Sequence, residues 1–311
     1  MVKGFLGIEY ATDEIKNGRF VDRTLESDFM QTRYDMLRKA DKRFFNESEW
    51  KKNTVEARQE FLKMMEQAEE RNRIKLNYED EDEENLSSDT FTYDGTGKPP
   101  KNVKTIIVQS NVQLIEKDAF KDLQELKSVV FPDDATDLKI EKNAFKNCQQ
   151  LTTIRLNGVT YVADDAFLNC TGLVAVELGS SIQHIGMGAF KNCSSLAAAT
   201  IPPNVTFIGD YAFANCIELK TVTVMDGVVE IPAYCFQNNT SLEQVILPTS
   251  IEKVGKKAFE NCPNAEVYVP TMDREEAEEL LGVKMIAKAE DDDTILKCDQ
   301  GYVVRLYKDL Y

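Results

Sequence analysis

Seven phenylalanines return at near-constant spacing through the middle of this chain: Phe120, Phe145, Phe167, Phe190, Phe213, Phe236 and Phe259, at intervals of 25, 22, 23, 23, 23 and 23 residues. A fixed period of this length marks a stacked-coil solenoid, in which no repeat buries its apolar face alone and each is completed by its neighbours. Other positions keep the same beat. Five residues before each Phe stands an aliphatic residue (Ile115, Ile140, Val162, Ile185, Ile208, Ile231, Val254), and one residue before it a small one, Ala in six coils and Cys235 in the other. Three residues after it comes Cys148, Cys170, Cys193, Cys216 or Cys262, with Asn239 in the sixth coil.

Six residues after the Phe comes Leu126, Leu151, Leu173, Leu196, Leu219 or Leu242, followed by an alternating apolar pair such as Ile154 and Leu156. Alternation with a period of two is that of a short strand with one buried face. The spacing predicts one strand per coil and, from stacking, a parallel sheet with strands roughly 4.8 Å apart and seven coils spanning about 34 Å.

The run Ile-Gly-x-x-Ala-Phe-x-Asn-Cys-x-x-Leu, present as Ile185 to Leu196 and again as Ile208 to Leu219, resembles the BspA-like, or Treponema-type, leucine-rich repeat. The resemblance implies an α/β leucine-rich-repeat solenoid of about seven 23-residue coils. It also implies binding rather than chemistry, since members of the family are known mostly as adhesins and binding proteins without shared catalytic residues. Four segments follow: an N-terminal helical region over 1–78, an acidic and Gly/Pro linker over 79–102, the array over 103–270, and a C-terminal helix and hairpin cap over 271–311. The bare ends of an array must be covered, and the two flanks are the candidates.

In the N-terminal region, apolar residues at helical spacing over 27–45 and 49–75 read as a helical hairpin, with Asn46 and Glu49 as a capping box between the two helices. It would cap the first coil, pack on itself or dock on another protein. At the other end, 273–281 reads as a short helix, and 294–297 with 302–307 as a terminal hairpin.

Candidate chemistry is sparse. The single histidine, His184, has no second histidine to form a metal or catalytic pair and reads as pointing to solvent, so its removal is expected to be nearly silent. Gly95 to Lys98 lacks the full phosphate-loop spacing, and Pro99 stands where the hydroxyl residue belongs. The Asn row two residues after the Phe (Asn147, Asn169, Asn192, Asn215, Asn238, Asn261) reads as a structural ladder bonding backbone groups between coils. No Cys or His spacing suggests zinc, and the odd total of seven cysteines reads as free, buried thiols acting as small hydrophobes. No catalytic residue, metal or cofactor is expected.

Charge narrows the partners. The chain carries 37 Lys and Arg against 53 Asp and Glu, a net of −16. Residues 1–78 are nearly neutral, so the acidity belongs to the rest, which argues against nucleic acid or anionic membrane as a partner. The runs Glu79 to Glu84 and Glu290 to Asp293 read as solvated. With no apolar stretch long enough for a signal peptide or a membrane span, the expected location is cytoplasmic, with the cell surface as the alternative if a leader has been removed. Sequons at Asn169 and Asn192 lie inside the repeat, where a glycan would obstruct packing.

What remains is protein binding, as a non-enzymatic scaffold or a subunit of a larger assembly. The outward row of the predicted strands (Arg155, Glu177, Thr200, Thr223 and Gln244 among them) holds few of the aromatic and Arg anchors that dominate interfaces. Aromatic side chains are richer in the flanks: Phe5, Tyr10, Phe20, Phe44, Phe45 and Trp50 at one end, Tyr302, Tyr307 and Tyr311 at the other. The flanks are therefore the expected partner-binding segments, with the strand face as the alternative surface.

Overall fold

A computed structural model describes residues 2–3, 9–10, 89–132, 135–271, 273–288 and 294–307. The chain divides into two compact units, Met1–Phe61 with Lys308–Tyr311 and Leu62–Tyr307. In the first, Val2–Lys3 pairs antiparallel with Glu9–Tyr10. The helical hairpin expected over 27–75 lies outside the described residues, as do Phe5, Phe20, Phe44, Phe45, Trp50, Tyr311 and the side chain of Tyr10.

The second unit is a parallel β-solenoid. Every Phe of the repeat is at most 1% exposed, and the aliphatic, Leu and Cys columns are buried with it. The seven rings form one column, with successive centroids 5.0 to 5.7 Å apart. From Phe145 onward the rings are stacked within 15° of parallel. The period of the sequence is therefore the period of the core.

Two corrections concern class and sheet. Each coil carries two short parallel strands, so the array has two strand faces where one was expected. The first face holds the strands after the Leu, such as Ala198–Ile201, Thr221–Val224 and Gln244–Ile246, paired in register. The second holds strands ending on the aliphatic residue before the Phe, such as Val159–Val162, His184–Ile185 and Phe207–Ile208. Most strands of this second face are only two or three residues long, too short for alternation to announce them.

The coils are also not α/β, because the segment around each Phe is held in turns. Residues two before and two after the Phe sit in the left-handed region, as at Asn143 (φ 58°) and Asn147 (φ 64°) in one coil and Tyr211 and Asn215 (both φ 60°) in another. Two left-handed residues four apart cannot belong to one right-handed helix. Asn tolerates that conformation better than most residues, which accounts for the Asn row. Between them the Phe N–H bonds to the next coil, as from Phe190 to the Ala212 carbonyl at 2.8 Å.

The Asn side chains do form a ladder, but they bond one another rather than the backbone. Each Asn Nδ2 donates to the Oδ1 one coil below, from Asn261 down to Asn147 and finally to Asp122, over 2.5 to 2.8 Å. A glycan on Asn169 or Asn192 would remove a donor from this chain of bonds. The cysteines make a second ladder: the thiols of Cys148, Cys170, Cys193, Cys216 and Cys262 donate to the carbonyl of the preceding coil's Phe at 3.1 to 3.4 Å. Asn239 fits the same role. Its Nδ2 donates to the Phe213 carbonyl at 3.1 Å and its Oδ1 accepts from the Cys216 N–H at 2.8 Å, so the departure at the sixth coil keeps a buried polar group satisfied.

All seven cysteines are free and buried. Burial pushes the thiols of Cys148, Cys216 and Cys262 up to about 12, which suppresses the reactive thiolate. Native-state labelling with a thiol reagent is therefore expected to be slow at Cys170, Cys193 and Cys216 and complete on unfolding. Rapid native labelling, or a disulfide among them, would contradict the ladder.

The motif glycine has a steric reason. A Cβ on Gly209 would lie 2.3 Å from the Met187 nitrogen and 2.6 Å from the Gly186 carbonyl carbon. The backbones of successive coils pass too close there for a side chain.

Both ends of the ring column are closed by a tyrosine packed edge-on. At the first coil, Thr90–Tyr93 pairs in parallel with Thr105–Val108, and Tyr93, 1% exposed, meets Phe120 at 4.9 Å and 80°. Residues 89–102, expected to be linker, thus begin the array. At the last coil, Val303–Leu306 pairs in parallel with Glu266–Val269 and antiparallel with Ile295–Cys298, which pairs in turn with Met285–Lys288. Tyr302, 1% exposed, meets Phe259 at 5.7 Å and 74°. The expected terminal hairpin is present, and so is the expected helix, Arg274–Leu281, capped by the Asp273 carboxylate and ended by Gly282 at φ 62°. It is the one helix among the described residues.

Candidate functional site

The structure rearranges the expected binding surfaces. Tyr302 and Tyr307 are corrected: they are 1% and 7% exposed, and the Tyr307 hydroxyl donates to the Leu247 carbonyl at 2.6 Å. Both are spent on capping the last coil and cannot anchor a partner. On the first strand face Arg155 is exposed and pairs with Glu177 at 3.2 Å, while Thr200 and Gln244 are half-buried. Thr223 is corrected as well, since it is 4% exposed and does not belong to an open surface. Apart from Val130 at its first end, what is open there is small or already paired.

The aromatic surface lies on the second strand face. Residues six before each Phe alternate with the buried aliphatic column and must point outward. In three successive coils they are Tyr161, His184 and Phe207, placed side by side by the register of Val159–Val162, His184–Ile185 and Phe207–Ile208. Their rings stack, Tyr161 on His184 at 4.2 Å and 13°, His184 on Phe207 at 4.5 Å and 8°. His184 points outward as expected but is half-buried as the middle of a ring stack, not free in solvent. Burial lowers its pKa, with Asp164 opposing, and burial raises that of Tyr161, with Glu141 and Asp164 adding to it.

Beyond Phe207 the stack opens into a cleft of about 340 Å³. Phe207, Met187 and Val229 line it, 50%, 47% and 44% exposed, three of the seven large apolar side chains exposed among the described residues. Asp164, Asp210 and Glu230 also line it, and no Lys or Arg does. An apolar recess with a few convergent polar groups is the usual form of a binding site. Among the described residues no group of three or more His, Cys, Asp or Glu side chains is placed to hold a metal ion. No described helix is long and apolar enough to cross a membrane.

The stack was missed in sequence because its column reads Leu114, Lys139, Tyr161, His184, Phe207, Glu230, Lys253, with no recurring residue type. Reading each offset from the Phe for aromatic content, rather than for identity, would have shown it. Its presence alters the expectation for His184. Replacing it with Ala should cost about 1 kcal/mol, from the two ring contacts it makes. Because its folded-state pKa is depressed, its contribution is present above the unfolded value of 6.5 and lost as pH falls through the folded-state pKa. Melting midpoints of wild type and His184→Gln should therefore converge on acidification; parallel curves from pH 8 to 4.5 would contradict the stack.

These features define a class, the parallel β-solenoid with an Asn ladder and a buried Phe column. The chain belongs to the BspA-type leucine-rich repeat family, whose profile matches six copies over residues 99–173 and 160–273, more than half of its length. Among solved structures it is similar to the leucine-rich repeat protein of Treponema pallidum, at 24% identity and a TM-score of 0.52, covering 62% of this chain and 88% of that one. A leucine rich cell surface protein from Faecalibacterium prausnitzii matches at 26% identity over 54% of each chain with a TM-score of 0.38. The pneumococcal vaccine antigen PcpA matches at 24% identity over 54% of this chain and 51% of that one, with a TM-score of 0.42. The likeness to the Treponema pallidum protein extends to the fold. No curated protein matches the chain.

Proposed function

We propose that this protein is a non-enzymatic binding scaffold whose solenoid presents the Tyr161–His184–Phe207 stripe and its adjoining cleft to a protein partner. The observation that carries the reading is the three-ring stack on one face of consecutive coils, Tyr161 and His184 half-buried and Phe207 exposed, with the exposed Met187 and Val229 beside it; stacking fixes the rings before any partner arrives. Preorganised aromatic anchors lose little entropy on binding. Residues 1–78, with Phe5, Tyr10, Phe20, Phe44, Phe45 and Trp50, are a second attachment segment in this scheme, which suits a subunit of a larger assembly. The acidity of the chain favours a protein over nucleic acid. Seven free cysteines support a reducing, cytoplasmic location.

The test is affinity purification from the native cell with three baits: wild type, the triple variant Tyr161→Ser, His184→Ser, Phe207→Ser, and Ala198→Arg on the other strand face, where Ala198 is exposed. Partners retained by wild type and Ala198→Arg but lost by the triple variant support the stripe. Partners lost only by Ala198→Arg move the surface to the first face. The alternative of a surface adhesin follows from family membership, and cleavage by protease added to intact cells separates it from the cytoplasmic reading.

A further inference from the structure

We propose that the cleft beyond Phe207 receives an arginine side chain of the partner polypeptide, an inference that rests on the ring stripe being a protein-binding surface. The geometry of the stack limits what fits. One face of Phe207 is covered by His184, so its open face turns toward the next coil, where Glu230 holds the equivalent position in the repeat. An aromatic face attracts a cation, and a planar guanidinium can lie on it while its N–H fork meets carboxylates at its edge.

The surroundings supply those carboxylates. Among the described residues the Asp210 carboxylate takes part in no ion pair, whereas Glu230 is already held by Lys253 at 2.5 Å. Asp164 accepts from the Met187 N–H through Oδ1 at 2.9 Å, which fixes its position without a cation. Met187 and Val229 give an apolar wall along which the methylene stem of an arginine would run. Elsewhere the protein shows the same chemistry completed from within: Tyr211 carries its own cation, Lys191 Nζ at 5.0 Å from the ring centroid. Phe207 has the exposed ring and the carboxylates but no cation among the lining residues. Lysine fits less well, because an ammonium is a point charge that can neither stack as a plane on the ring nor offer a carboxylate the paired N–H fork.

The probe is a random peptide library selected on the full chain and counter-selected on Phe207→Ser, which removes a half-exposed ring and whose melting curve checks that it folds. Phe207-dependent peptides are expected to share an arginine. Replacing that arginine by citrulline, which keeps the shape and loses the charge, should weaken Kd at least tenfold. Asp210→Asn should do the same, and Glu230→Gln should do less. Equal affinity for the citrulline peptide overturns the arginine inference while leaving the stripe as a binding surface. A selection that yields no Phe207-dependent peptide overturns both.

Discussion

Phe190→Ala is expected to lower stability by about 3 to 5 kcal/mol, the range for removing a fully buried large aromatic side chain. Phe190 is 0% exposed and stands in mid-column, stacked between Phe167 at 5.1 Å and Phe213 at 5.2 Å. Its neighbours cannot close the gap, because each ring is locked by its own coil: the N–H of every Phe but the last bonds the coil above, and the carbonyl of each of these six accepts a Cys thiol or the Asn239 amide. The natural control is Phe207→Ala, the same change on a ring that is half exposed, expected to remain below about 1.5 kcal/mol. Urea midpoints at constant slope would measure both. If Phe190→Ala melted like wild type, or Phe207→Ala proved the costlier change, the inner and outer columns would have been exchanged.

That contrast also shows what could be read from the chain. Columns that recur in kind were legible because they face the same environment in every coil: Phe, Leu and the aliphatic residue before the Phe are buried by identical neighbours, so selection for packing repeats. Outward columns lack that constraint. Tyr161, His184 and Phe207 share a column with Lys139 and Glu230, so no residue type repeats there, and the register of the second strand face then brings the three rings into contact. The second face itself escaped notice because its shortest strands, such as His184–Ile185 and Phe207–Ile208, hold a single outward and a single inward residue. The Asn row was legible as structure but not in its partners, since side-chain to side-chain bonding depends on the coil spacing. Composition misled at the C-terminus. Tyr302 and Tyr307 there suggested anchors, and docking on the last coil buries them.

The last coil supplies the second large effect. A linear array is held by its own repeats and by the interfaces between them, so an exposed end frays unless something covers it. Here the cover is a hairpin strand, Val303–Leu306, with Tyr302 at its head and the Arg305 guanidinium forked onto Glu266 at 2.7 and 2.8 Å. Tyr302→Ala removes the edge-on ring beneath Phe259 and is expected to cost about 3 to 5 kcal/mol. Unlike Phe190→Ala, its damage should be graded along the array. Hydrogen exchange should rise most for bonded amides of the seventh coil, such as Glu260 and Cys262, less for Phe236, and little for Phe145, because stability in a solenoid is lost locally before it is lost globally. A partner anchor would behave otherwise: truncating it would leave stability and exchange unchanged and weaken only binding. Wild-type exchange at the seventh coil in Tyr302→Ala would therefore return Tyr302 to the interaction surface, and a gradient falling away from Phe259 would hold it to the cap.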